Sequence, residues 1–136
     1  MTKVLLLIFI LFYSTACHFQ PRQADCSKFR AGEFYLVNKK LGHKYRILRN
    51  DVTQQEIDDK AGTTTTMKIK WITPCEYELA FLSAKGPGSD TMTSMPEARV
   101  VRTRITAVGD NYYVFETKAP GIDLIYSDTM RVIKTR

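Results

Sequence analysis

The chain has 136 residues, 44% hydrophobic and 25% charged, with 20 Lys and Arg against 14 Asp and Glu and a formal charge of +6. That size bounds it to one domain with one hydrophobic core. A basic balance can mark a nucleic-acid binder, but here Asp and Glu are interleaved with the basic residues and the chain carries an export signal. Solubility or attraction to an anionic membrane surface is the simpler account, and no nucleic-acid partner is expected.

Met1-Thr2-Lys3 leads into an apolar run from Val4 to Tyr13, followed by Ser14-Thr15-Ala16-Cys17. One basic residue, about ten apolar ones and a small-residue end form a secretory signal. A membrane-crossing helix needs about 20 apolar residues, so residues 1–16 read as a signal peptide cut after Ala16. Ser14-Thr15-Ala16-Cys17 also resembles a bacterial lipobox, with Ser14 where leucine is commoner. This makes Cys17 the candidate lipidation site, at the head of a tether over 17–27, and the membrane the expected partner through that anchor. Several acyl chains would hold stably, at ~0.8 kcal/mol per buried CH₂, where one chain is marginal. The expected location is the cell envelope, on the outer membrane facing the periplasm. The alternative is a secreted soluble protein with the same cut and a free thiol at Cys17.

Three cysteines are an awkward number for an exported chain. With Cys17 lipidated, Cys26 and Cys75 remain and can pair in an oxidising compartment. Two buried free thiols are the competing reading. Two cysteines with only His18 and His43 make no recognisable metal set.

Beyond the tether, period-two alternation dominates and helical periodicity is absent. A first strand is predicted over 28–37, with Gly32 as a bend or bulge. Asn38 to Gly42 is a turn. Strands follow over 44–49 and 52–58, joined at Asn50-Asp51. The clearest hairpin spans 65–82: Met67, Ile69 and Trp71 alternate with Lys68 and Lys70, and Cys75, Tyr77 and Leu79 with Glu76 and Glu78. Setting Trp71 opposite Cys75 pairs Ile69 with Tyr77, Met67 with Leu79, Lys70 with Glu76 and Lys68 with Glu78. Apolar pairs then share one face and opposite charges the other. A second hairpin spans 99–118 and turns at Gly109-Asp110-Asn111. It places Val101, Thr103, Ile105 and Ala107 on one face, Tyr113, Phe115 and Thr117 on the matching face, Ile105 opposite Phe115, and Arg104 opposite Glu116. Two short strands, 123–126 and 130–134, end the chain.

About eight antiparallel strands at hairpin spacing must hide their edges. The short connections favour an all-β up-and-down meander closing into a small barrel over 28–136, with a β-sandwich as the alternative. Such a barrel is filled by side chains or holds one small ligand. Phe34, Trp71, Tyr77, Phe81 and Phe115 are the candidate fillers. The connection over 84–98, with Gly86-Pro87-Gly88, Met92, Met95 and Pro96, is long for a compact domain. It reads either as a lid over a barrel mouth or as an exposed loop.

The run Cys26-Ser27-Lys28-Phe29-Arg30-Ala31-Gly32-Glu33-Phe34, then Ile47-Leu48-Arg49-Asn50-Asp51 with Gln55-Glu56, then Ile69 to Leu79 around Trp71 and Cys75, resembles a family of small bacterial secreted proteins and lipoproteins of uncharacterised function. The double-cysteine frame is its most specific part. The resemblance spans most of the chain after the signal, except 84–98, and implies a lipocalin-like β-barrel in the envelope. It implies no reaction and no functional residues. Some members carry the name of a topoisomerase subunit. Nothing here supports that: no Gly-rich ATP-binding signature is present, and the chain is short and exported.

An enzyme is not expected. His43 sits by a turn beside Lys44 and reads as an exposed loop residue without an orienting partner or nucleophile. No Gly-x-Ser-x-Gly occurs. Asp58-Asp59 with Glu56 could meet a cation but read as solvated acids at a strand end, as do Asp123 and Asp128. No metal or cofactor is expected. Arg99, Arg102 and Arg104, with Lys118, form the strongest basic patch, partly neutralised by Glu116. Together with Met92 and Met95 these arginines are the candidate contacts for a ligand or partner. Tyr113 reads as core and Tyr112 as rim. Two functions remain: a non-catalytic structural or protein-interaction module of the envelope, meeting an unknown envelope protein, or a lipocalin-like binder of a small apolar or amphipathic ligand. A filled interior favours the first and a hollow one the second.

Overall fold

The structure is a computed structural model that describes residues 25–39, 42–88, 92 and 100–135. The signal segment, Cys17 and most of the tether, Met95 and Arg99 lie outside the described residues. The fold is a closed eight-stranded barrel in strict meander order. Its strands are β1 (Gly32–Asn38), β2 (His43–Arg49), β3 (Thr53–Asp58), β4 (Thr63–Thr73), β5 (Glu76–Lys85), β6 (Val101–Val108), β7 (Tyr112–Lys118) and β8 (Ile125–Thr135). All neighbours are antiparallel, and β8 closes on β1. Closure removes the two free edges that a meander would otherwise expose.

Several boundaries differ from the sequence expectation. Residues 28–31 do not extend the first strand. Ser27–Phe29 forms a 3-10 turn whose Phe29 is fully buried. Strand β1 begins at Gly32, where φ is 151° and an added Cβ would lie 2.4 Å from the Lys134 carbonyl oxygen. Only glycine lets β1 approach β8 so closely, just before the register shift at Glu33/Phe34. The expected strands over 123–126 and 130–134 are one continuous strand, β8. Ala84 and Lys85 belong to β5 rather than to the connection after it. Met92 returns to exchange two backbone hydrogen bonds of 2.8 Å with Ala84.

The first long hairpin keeps its two faces but shifts by two residues. Trp71 pairs with Tyr77, Ile69 with Leu79, Met67 with Phe81, and Lys70 with Glu78. Cys75 cannot start the return strand because the turn takes it. Its N–H meets the Thr73 hydroxyl at 3.3 Å, its carbonyl accepts Ile105 N–H at 2.8 Å, and its sulfur is bonded to Cys26. The second hairpin has the expected register, with Ile105 opposite Phe115 and Arg104 opposite Glu116. A bulge after Ile105 turns Ala107 outward and puts Val108 opposite Tyr113 on the inner face. That bulge is invisible to a strict period-two count.

Cys26 and Cys75 form a disulfide. It pins the 3-10 turn across one end of the barrel. Phe29 packs on Tyr113 with ring centroids 4.8 Å apart, Lys28 Nζ donates to the carbonyls of Gly109 and Asp110, and Arg30 lies over the Trp71 ring at 5.2 Å. The turn thus plugs the end formed by the β2–β3, β4–β5 and β6–β7 turns.

Candidate functional site

The inner face changes character along the barrel axis. Near the plug, Phe34, Ile47, Gln54, Ile69, Leu79, Thr103, Phe115 and Met130 are buried. Two positions further toward the opposite end, the inward residues on the same eight strands are Leu36, Tyr45, Glu56, Met67, Phe81, Val101, Thr117 and Asp128, and every one is partly exposed. The direction is the same on all eight strands. One half of the interior is therefore packed, and the other is a cup whose walls water can reach. Among the expected fillers, Phe34, Tyr77 and Phe115 are buried, whereas Trp71 and Phe81 are only half-buried.

Beneath the packed layer, against the plug, lies a buried arginine that the sequence reading did not single out. Arg49 is 3% exposed. Its Nε donates to Gln54 Oε1 at 2.8 Å, Nη1 to the Phe29 carbonyl at 3.0 Å, and Nη2 to the hydroxyls of Tyr77 and Tyr113 at 3.1 and 2.9 Å. Its guanidinium lies 4.7 Å from the Tyr77 ring centroid and 5.2 Å from that of Phe34. Burial opposes this charge, but the Tyr113 and Tyr77 oxygens aimed at it outweigh burial and hold Arg49 charged. Tyr113 stays phenolic, because burial pushes its pKa far up despite the neighbouring guanidinium. Among the described residues, no carboxylate hydrogen-bonds to or pairs with Arg49. Gln54 relays instead, its Nε2 donating to Glu56 Oε1 at 2.9 Å. The alternation of Tyr45, Ile47 and Arg49 was the available signal for an inward Arg49. Strand β3 offered none, since its one apolar side chain, Ile57, lies out of phase with Gln54, Glu56 and Asp58.

The wall of the cup is acidic and aromatic. Burial raises the Glu56 pKa above the ordinary range, with Gln54 and Arg49 pulling the other way. Tyr126 donates to Asp128 Oδ2 at 2.7 Å and packs on Phe115 at 6.0 Å. Its pKa is raised by burial, then by Asp128, with smaller pushes from Glu56 and Tyr45 across the barrel. Tyr45 is raised by burial and by Asp58 and Glu56. Strands β2, β3 and β8 thus bring Tyr45, Glu56, Tyr126 and Asp128 to one chamber.

At the rim, two expectations are corrected. His43 is not a loop residue: it opens β2, half-buried, with Nδ1 2.6 Å from Asp58 Oδ2. Asp58 is not solvated but 4% exposed, because its other oxygen accepts the N–H groups of Lys60 and Ala61 at 3.0 Å each. The Ala61 bond is the largest cause holding its carboxyl below the usual range, and His43 adds to it. Asp58 is spent on capping the β3–β4 turn. His43 has an orienting carboxylate, but its Nε2 makes no hydrogen bond with another described side chain. Asp59 is exposed and pairs loosely with Arg46 at 3.4 Å. Among the described residues, no three His, Cys, Asp or Glu are grouped to hold a metal ion.

The basic patch lies on the outer wall. Arg102 donates to Glu76 at 2.7 Å, and Arg104 stands 3.8 Å from Glu116, so both are largely neutralised. These residues border an outer groove of about 430 Å³, floored in part by Val100, Ala119, Pro120 and Ile125. Met92, 46% exposed, is bridged to Ala84 of β5. Tyr113 is core and Tyr112 is exposed. No protein-family model matches this chain, and no curated protein or solved structure matches it significantly.

Proposed function

We propose that this protein is a non-catalytic binding protein of the cell envelope, and that the open half of its barrel receives one small amphipathic molecule. The change from buried to half-exposed inner side chains on all eight strands carries this reading. Eight strands leave room for either a packed interior or a single small guest. Here the packing stops at the level of Ile47 and Phe115. The leader with Cys17, and the resemblance to small envelope lipoproteins, support a lipid-anchored location; the Cys26–Cys75 bridge is compatible with it. Titration with N-phenyl-1-naphthylamine should give a saturable, one-to-one fluorescence rise. Met67→Trp, which fills the cup, should abolish it. No rise, or a rise unchanged in Met67→Trp, would sink the proposal.

A second reading, docking of an envelope protein, draws on the outer wall. Ile122, Leu124 and Ile125 are 43%, 73% and 55% exposed, beside the groove that Val100 and Pro120 line. It predicts that Ile125→Glu breaks a defined crosslinked complex while leaving naphthylamine binding intact.

A further inference from the structure

Charge is sorted between the two faces of the barrel wall. On the described strands, Lys44, Arg46, Lys68, Lys70, Lys85, Arg102, Arg104, Lys118, Arg131 and Lys134 all occupy outward register positions. On the described strands the basic residues at inward positions are Arg49, which lies beneath the packed layer and is occupied by Gln54, Phe29, Tyr77 and Tyr113, and His43 at the rim, which is bound to Asp58. The inward acids Glu56, Asp58 and Asp128 lie above Arg49. With His43 and Asp58 spent on each other, the charged groups left to a guest in the open half are the carboxylates of Glu56 and Asp128.

We infer that the guest is an amphipathic organic cation, an amine or quaternary ammonium on a short alkyl or aryl body. This rests on the binding reading above and names its ligand class. Three features of the chamber converge on such a molecule. Glu56 and Asp128 stand on β3 and β8 and supply negative charge from two walls. Tyr45 and Tyr126 supply aromatic surface beside those carboxylates, and cations favour such faces. Leu36 and Met67 supply apolar surface on β1 and β4 for the rest of the ligand. An anionic guest would face the same two carboxylates with Arg49 already saturated, and a neutral guest would leave their charge uncompensated in a partly desolvated space. Asp58 is not part of the recognition set, because the β3–β4 turn and His43 occupy it.

The test compares three probes with unbranched ten-carbon chains, decyltrimethylammonium, decanol and decanoate, each at a concentration where it is monomeric. The protein is the disulfide-bonded chain carrying Cys17→Ala, and calorimetry supplies the affinities. The cation should bind at least about tenfold more tightly than the alcohol, and the carboxylate most weakly; a tenfold ratio is ~1.4 kcal/mol. Glu56→Gln with Asp128→Asn should remove that advantage and leave decanol affinity unchanged. Glu56→Gln keeps an oxygen for Gln54, and Asp128→Asn keeps one for either Tyr126 or the Thr129 N–H, so the fold should persist, as circular dichroism would verify. Equal binding of cation and alcohol, or an advantage surviving in the double variant, overturns the cation inference while the binding reading stands. Preference for decanoate also overturns it. Failure of all three probes to bind removes the binding reading as well.

Discussion

Replacing Arg49 by methionine isolates the contribution of the barrel floor. Exchanging a buried charge for an apolar side chain of similar length is often neutral or stabilising, because the desolvation cost disappears. The partners decide otherwise here. The Phe29 carbonyl would lose its 3.0 Å donor inside a closed end, and Gln54 would lose its 2.8 Å contact. One buried acceptor without a partner costs ~1–3 kcal/mol, and two such losses outweigh the ~1 kcal/mol that methionine recovers by burial. The phenols of Tyr77 and Tyr113 are less affected, since they can bond to each other. The expected net loss is ~2–4 kcal/mol, which for a domain of this size lowers Tm by roughly 10–15 °C. Urea unfolding monitored through Trp71, with the disulfide intact, measures it. Arg49→Lys should fall between wild type and Arg49→Met, because one ammonium cannot span four acceptors. A methionine variant as stable as wild type would refute the view that Arg49 fastens the plug to the barrel.

Reducing the Cys26–Cys75 bridge, which closes a separation of 49 residues, should cost roughly 4 kcal/mol by the chain-entropy argument; a Cys26→Ser/Cys75→Ser variant with an unshifted urea midpoint would contradict it. Glu56 is a carboxyl whose folded pKa lies above its unfolded value, so the stability linked to its protonated form is present at low pH and is lost as pH rises from about 4 through the raised value. Glu56→Gln should therefore match wild type near pH 4 and become the more stable of the two by pH 8, and a constant difference in Tm across that range would be inconsistent. Ala at Gly32 must displace the Lys134 carbonyl, so Gly32→Ala should lower Tm by several degrees, with the β1–β8 amides exchanging faster. Cys17→Ala should release the protein from membranes, and unchanged sedimentation with the membrane fraction would remove the lipid anchor from the account.

The barrel was legible because its hairpins alternate cleanly and their turns carry Asn, Gly and Pro. Asn50 shows how locally this is written: its Oδ1 accepts from both Val52 and Thr53 N–H, fixing the β2–β3 turn. The shift in the 65–82 pairing came from Cys75, whose disulfide and backbone bonds belong to tertiary contacts that a pattern of alternation does not contain. The interior of β3 was hidden for a different reason. Gln54, Glu56 and Asp58 point inward, where a hydrophobic count expects Ile57. Polar residues can occupy those positions because Arg49 from β2, itself held by side chains of β5 and β7, supports the first of them. As a site residue, Glu56 entered the sequence reading as a helper to Asp58 and Asp59. Its grouping with Tyr45, Tyr126 and Asp128 depends on barrel closure, which brings β8 round to the β1–β3 side.

Methionine methyl NMR tests the open acidic cup most directly, because two side chains report from different places: Met67 on its wall and Met130 in the packed half. Adding decyltrimethylammonium to the methyl-labelled protein should move the Met67 signal along a saturable curve while Met130 stays nearly still. A silent Met67, or a response larger at Met130 than at Met67, would contradict a guest in the open half of the barrel.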